Sequence, residues 1–199
     1  KTLFGASTDA PVYICSLANE KDDPKEPGER KVTTRDGDDI ARFITKWDRK
    51  RRAIYFCVGT INGQRRAKDT VVEIVGLHAD IDAKDLEISL SEVDTRLASL
   101  RYRPSITVAS GNGRHAYWLF KEAIRLQDEP DSIERLEQAL RQLADVVGGD
   151  LHVTHPAALM RLPGTHNSKR DAWHEVVASP DTGLRYELDY RIGYDGVWN

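Results

Sequence analysis

An α+β domain is the fold class this sequence predicts, and three observations carry it. Stretches with helical periodicity alternate with strand-like runs. Residues 53–58 and 71–82, both rich in β-branched and aromatic side chains, flank an Asn62-Gly63 turn and are expected to pair as neighbours. A Gly-Asn-Gly joint at 111–113 links two further strands, 105–109 and 115–120, as a hairpin-like loop.

The elements follow in order. Residues 11–17 read as a strand, and the polar stretch 19–30, with Pro24, Pro27 and Gly28, as a mobile loop. Ile40, Phe43, Ile44 and Trp47 share one face of a helix over 38–47, and a second helix is expected over 89–100. Asp131-Ser-Ile-Glu134 resembles a capping box opening a long helix that turns Ile133, Leu136, Leu140, Leu143 and Val147 toward the core until Gly148-Gly149 stops it. Two closing strands are expected within 172–188 around Pro180-Asp-Thr-Gly183, and the sequence has no internal repeat or low-complexity tract.

With 199 residues, 40% of them hydrophobic, the chain can bury one sizeable core, and 31% charged residues suit a soluble protein. A single domain over 1–199 is expected, with room for two lobes at about 1–70 and 71–199, and the end at Trp198-Asn199 reads as a cut from something longer. No apolar run approaches the roughly 18 residues of a membrane span and no basic-then-apolar leader opens the chain. A cytoplasmic protein without a membrane partner is therefore expected. Cys15 and Cys57 lie in strand-like apolar runs, which favours buried reduced thiols.

Three segments carry the chemistry. In Gly76-Leu-His-Ala-Asp-Ile-Asp82, strand alternation puts Asp80 and Asp82 on one face. Two ionised carboxylates so close repel each other, and a divalent cation resolves the repulsion. In Ser110-Gly-Asn-Gly-Arg-His-Ala-Tyr-Trp118, the glycine-rich loop offers backbone N–H groups to phosphate oxygens, and His115 follows Gly113 by two residues. In Arg161-Leu-Pro-Gly-Thr-His-Asn-Ser-Lys169, a rigid Pro163-Gly164 corner separates Arg161 from Lys169, both suited to a triphosphate.

Taken in this order and spacing, the segments over roughly residues 74–170 resemble the archaeo-eukaryotic primase superfamily, in particular the primase-polymerases of phages, plasmids and integrated mobile elements. The resemblance implies a primase-polymerase catalytic core: an RRM-like sheet packed against helices, with an N-terminal α/β lobe. It further implies metal-dependent nucleotidyl transfer from an NTP or dNTP on a single-stranded DNA template. Two Mg2+ or Mn2+ ions would be held by Asp80, Asp82 and a third acid, for which Asp150 is the nearest before Arg161 and Asp145 the fallback. His115 takes the triphosphate, with Ser110, Gly111 and Gly113 shaping the loop and Arg161, Thr165, Asn167 and Lys169 completing the nucleotide site. A helicase, in cis or in trans, is the partner implied.

Charge complicates the DNA reading: 29 Lys and Arg face 32 Asp and Glu, a net charge of −3, so affinity must be local. Two clusters offer it, one containing Arg49, Lys50, Arg51 and Arg52, the other Arg65, Arg66 and Lys68, against the plain alternative of solvated surface. Two other functions stay open. His78 and Asp80, with His115 or His152, match the start of a non-haem iron facial triad, and a replication-initiation module would bind DNA without catalysis. His152 and His155 have zinc-like spacing, but Pro156 and the lack of Cys partners speak against it.

Overall fold

The structure, a computed structural model, describes residues 3–7, 10–19, 28–128, 131–169 and 173–187. Most of the loop expected over 19–30, the ends of the stretch 172–188, and Trp198-Asn199 lie outside the described residues. The chain runs β1 (Val12–Leu17), β2 (Arg30–Thr34), α1 (Gly37–Asp48), β3 (Ala53–Ile61), a 3-10 turn (Lys68–Thr70), β4 (Val71–Asp82) and α2 (Leu90–Ser99). It continues through β5 (Ile106–Ala109), β6 (Gly113–Arg125), α3 (Ser132–Val147), a second 3-10 turn (Leu151–Val153), β7 (Leu159–Arg161), β8 (His166–Asn167), β9 (His174–Glu175) and β10 (Val177–Ala178). The mixed α+β class and a mainly antiparallel sheet backed by helices are as expected.

Eight strands form the main sheet in the order β10-β5-β6-β4-β3-β1-β2, with β7 also on β3, while β8 and β9 pair apart. One edge of β3 divides: Tyr55, Phe56 and Cys57 pair with β7, whereas Gly59 and Ile61 pair with β4. Beyond that point β4 and β7 diverge, and residues 150–158 fill the fork. There Val58 N–H donates to the Ala158 carbonyl at 3.1 Å and Asp150 N–H to the Asp80 carbonyl at 2.8 Å.

Local chemistry explains the helices. Asp36 caps α1 by accepting from the backbone N–H groups of Asp38 and Asp39, and Ser89 caps α2 by accepting from Glu92; such caps contribute about 1 kcal/mol each. The capping box expected at the start of α3 does not form. Asp131 sits in the left-handed region at φ 64° and its side chain makes no capping bond; packing of Leu136, Leu140 and Leu143 in the core holds the helix instead. Two further expectations change. β2 was not anticipated, because Arg30-Lys-Val-Thr-Thr34 has no apolar alternation and lies at the sheet edge. Both short strands of 172–188 precede Pro180, and after it Tyr186 joins the sheet by an isolated parallel bridge to Phe120.

Sheet alternation sorts the two faces. Ala79 lies 3.4 Å from where a side chain on Gly149 would begin, and Ile81 lines a hollow of about 210 Å3 with residues of α2 and α3, so the odd-numbered side of β4 is the helix-covered one. His78, Asp80 and Asp82 therefore project from the opposite face. Cys15 and Cys57 are buried free thiols, as expected.

Candidate active site

The β4–β6 register places Asp80 directly opposite His115 and Asp82 opposite Gly113. Opposed residues of an antiparallel pair share a face, so Asp80 and His115 meet there, His115 Nε2 lying 3.6 Å from Asp80 Oδ1. Burial, then the charges of Asp150 and Asp82, push the Asp80 carboxyl up to about 6, against the opposing pull of Arg161 and Lys169. Burial, followed by the charge of Arg161 and by His78, lowers His115 to about 3, so its imidazole is neutral at pH 7. The structure thus gathers Asp80, Asp82, Asp150, His115, Arg161 and Lys169 into one electrostatic neighbourhood, although they come from four separate stretches of chain.

Arg161 arrives on β7, where pairing with Tyr55 sets its guanidinium carbon 5.1 Å from the Tyr55 ring centroid. The residue is only 6% exposed, and its Nη1 is buried without a hydrogen-bond partner. A buried, unpaired cationic donor is costly unless an anion completes it. His115 Nδ1, on the ring edge away from Asp80, is likewise buried and unpartnered.

The glycine-rich loop is built differently from its sequence reading. Gly111 adopts φ 114°, and a Cβ there would come within 2.5 Å of Asn167 Nδ2. Asn167 is buried and donates from that same Nδ2 to the Ser110 carbonyl at 2.8 Å, while its Oδ1 accepts from Lys169 N–H at 3.2 Å. Both ends of its amide bond to backbone, so Asn167 positions the loop. Thr165 is likewise buried, and its hydroxyl donates to the Leu162 carbonyl at 2.7 Å. Gly113 serves strand packing, since a Cβ there would lie 2.3 Å from the Ile81 carbonyl oxygen. Ser110 is nearly buried and closes the loop by donating its backbone N–H to the Gly113 carbonyl at 3.2 Å.

The acids suit a hard divalent cation in chemistry: the charges of Asp150 and Asp82 help raise the Asp80 carboxyl, and carboxylates that act on one oxygen pair in this way also attract Mg2+ or Mn2+. They are not gathered to ligating distance, for among the described residues no three His, Cys, Asp or Glu side chains are grouped to hold a metal ion. Asp82 Oδ1 accepts from Lys84 N–H at 2.9 Å. Asp150 Oδ1 accepts from both the backbone N–H and Nδ1 of His152 at 2.8 Å. Burial pushes the Asp150 carboxyl up, but those two hydrogen bonds and the nearby imidazole bring it net below its ordinary value. Of the iron-triad residues, buried His78 donates Nε2–H to the Val153 carbonyl at 2.9 Å and keeps its Nδ1 buried without a partner, while His152 lies exposed against Asp150.

No family model matches the sequence, and no curated protein matches it. Solved structures do match. The primase-polymerase AEP domain of cyanophage S-2L superposes with a TM-score of 0.67 at 16% identity, over 94% of this chain and 89% of that one. The fold is that of an archaeo-eukaryotic primase-polymerase. Primase RepB′ gives a TM-score of 0.61 at 15% identity over 93% of this chain and 58% of its own, and its catalytic domain in complex with initiator DNA gives 0.55 at 14% over 88% and 80%.

On this primase-like fold the basic cluster divides. Arg49, Lys50 and Arg51 are exposed. Arg52 is 3% exposed and is corrected to a structural role: its Nε donates to Ser16 Oγ at 2.6 Å and its Nη2 to the carbonyls of Ser16 at 3.1 Å and Gly28 at 2.5 Å. In the second cluster Arg65 pairs with Asp69, Arg66 donates to the Ala157 carbonyl, and Lys68 pairs with Glu137. Sequence reasoning missed Asp48, which accepts from His166 Nδ1 at 2.7 Å and from its backbone N–H at 2.8 Å; no local signal links residues that far apart. Among the described residues no helix is long and apolar enough to cross a membrane.

Proposed function

We propose that this chain catalyses templated nucleotidyl transfer, as a DNA primase and DNA-directed polymerase in the replication of a mobile element. The observation that carries the reading is the meeting of half-buried Asp80 and buried His115 on one sheet face with a buried Arg161 whose Nη1 has no partner. A deep cation beside a cluster of carboxylates is what a nucleoside triphosphate bound through divalent ions requires. The likeness to primases, one of them solved with initiator DNA, supports the same reading.

Arg161 and Lys169 neutralise phosphate charge, and neutral His115 offers an imidazole nitrogen to a phosphate oxygen without adding charge beside Arg161. Asp80, Asp82 and Asp150 would hold two Mg2+ or Mn2+ ions, which when bound activate the attacking 3′-hydroxyl and stabilise the leaving pyrophosphate. Ser110 and Gly111 present the loop that Asn167 fixes from behind. Single-stranded DNA is the template, an NTP or dNTP the substrate, and a helicase, in cis or in trans, the functional partner.

Incubating the protein with single-stranded DNA, labelled nucleotides and Mg2+ or Mn2+ tests the proposal. Incorporation of label supports it. A protein that binds the DNA but incorporates none under either metal is a binding module, and the proposal fails.

A further inference from the structure

Among the described residues Trp173 is one of four large apolar side chains left open to solvent, at 44% exposure, and its surroundings are not apolar. The His166 ring stacks on it with centroids 4.1 Å apart and planes 10° from parallel. The Arg51 guanidinium carbon lies 5.3 Å from the Trp173 ring centroid. This stack is held from beneath. Asp48 grips both the imidazole and the backbone N–H of His166, and the Arg51 carbonyl accepts from Ser168 Oγ and from Asn19 Nδ2, each at 2.7 Å.

Those bonds weld the end of α1 to the segment that carries Lys169 toward Asp80. On the outer side of the same helix end, Arg42, Lys46, Arg49 and Lys50 line one shallow hollow. A protein partner would call for more apolar surface around the tryptophan; an aromatic ring set among cations fits a ligand that is both anionic and π-bearing.

We propose that Trp173, supported by His166 and Arg51, is a stacking platform on which a base of single-stranded nucleic acid rests, with its phosphates against the basic end of α1. The platform deepens the nucleic-acid reading above and rests on it. It takes any base, because every base has a π-face, and it sits on the approach to the acidic face through the 166–169 segment.

The test uses fluorescence anisotropy in EDTA with two fluorescein-labelled strands of equal length, oligo-dT and an abasic strand with the same phosphates. The wild-type protein should bind oligo-dT more tightly than the abasic strand. Trp173→Ala should weaken oligo-dT binding about 5- to 100-fold and leave the abasic strand nearly unchanged, while Trp173→Phe retains most of the affinity. Equal wild-type affinity for the two strands, no binding of either, or an equal loss for both in Trp173→Ala overturns the platform. Label incorporation is not read here, so failure of the platform and failure of the proposed reaction are separate results.

Discussion

Asp150 donates its backbone N–H to the carbonyl of Asp80 at 2.8 Å, so a residue just past α3 is sewn to the exposed edge of β4. That bond explains why the charge of Asp150 acts on the Asp80 carboxyl more than that of Asp82 does, although Asp82 is the nearer in sequence. It also sets the position of Asp150 by backbone geometry, while the Asp150 carboxylate accepts from His152.

In the proposed metal site, the raised Asp80 carboxyl would make ion binding pH-dependent. A proton competes with Mn2+ for the same oxygens, so the apparent Mn2+ affinity measured by titration calorimetry should fall as pH drops through about 6. Asp82→Asn removes one like charge and should move that midpoint downward. An unchanged affinity between pH 5 and pH 7.5 contradicts the shared site.

Stability in the absence of metal carries the opposite sign. Asp80 binds its proton more tightly folded than unfolded, so its contribution is present below the ordinary carboxylate value of 3.8 and is lost as pH rises to about 6. Asp80→Asn should flatten that part of the melting profile and raise the melting temperature at pH 7.5. A lower melting temperature at that pH contradicts the crowding of like charges.

His115 should stay neutral throughout the working range, since burial lowers it to about 3. Its ring nitrogen shifts should keep the neutral-imidazole pattern between pH 5 and pH 8, displaced only slightly as neighbouring Asp80 titrates. His115→Ala should weaken nucleotide binding more than DNA binding, and equal losses would reduce the residue to a packing role.

The two halves of the basic run should separate cleanly. Arg52→Ala deletes three hydrogen bonds from a buried guanidinium and should cost about 1.5–3 kcal/mol, lowering the melting temperature by roughly 4–10 °C. Arg49→Ala with Lys50→Ala should leave stability within about 0.5 kcal/mol while weakening DNA binding and reducing its salt dependence. Loss of folding in the exposed pair would reverse the assignment.

Much of the site was legible in the sequence because its signals are local. Strand alternation alone puts Asp80 and Asp82 on one face, and the Gly-Asn-Gly joint marks the turn between β5 and β6; the pairing of β6 with β4 then sets His115 opposite Asp80. What escaped depends on contacts between distant residues. A run of four basic residues does not say which one turns inward, and only the pairing of β1 with β3 carries Arg52 to Ser16. The side chains of Asn167 and Thr165 bond to backbone carbonyls, which their spacing does not show. The Asp48–His166 bond beneath Trp173 joins the end of α1 to β8, which no spacing rule anticipates.

Extension of a labelled primer on single-stranded DNA with Mn2+, compared between the wild-type protein and Asp80→Asn, measures the central claim most directly. The wild type should extend the primer and Asp80→Asn should lose about 100-fold or more of that rate, with the variant folded and its DNA affinity intact. Wild-type extension rates in a folded Asp80→Asn would contradict the claim.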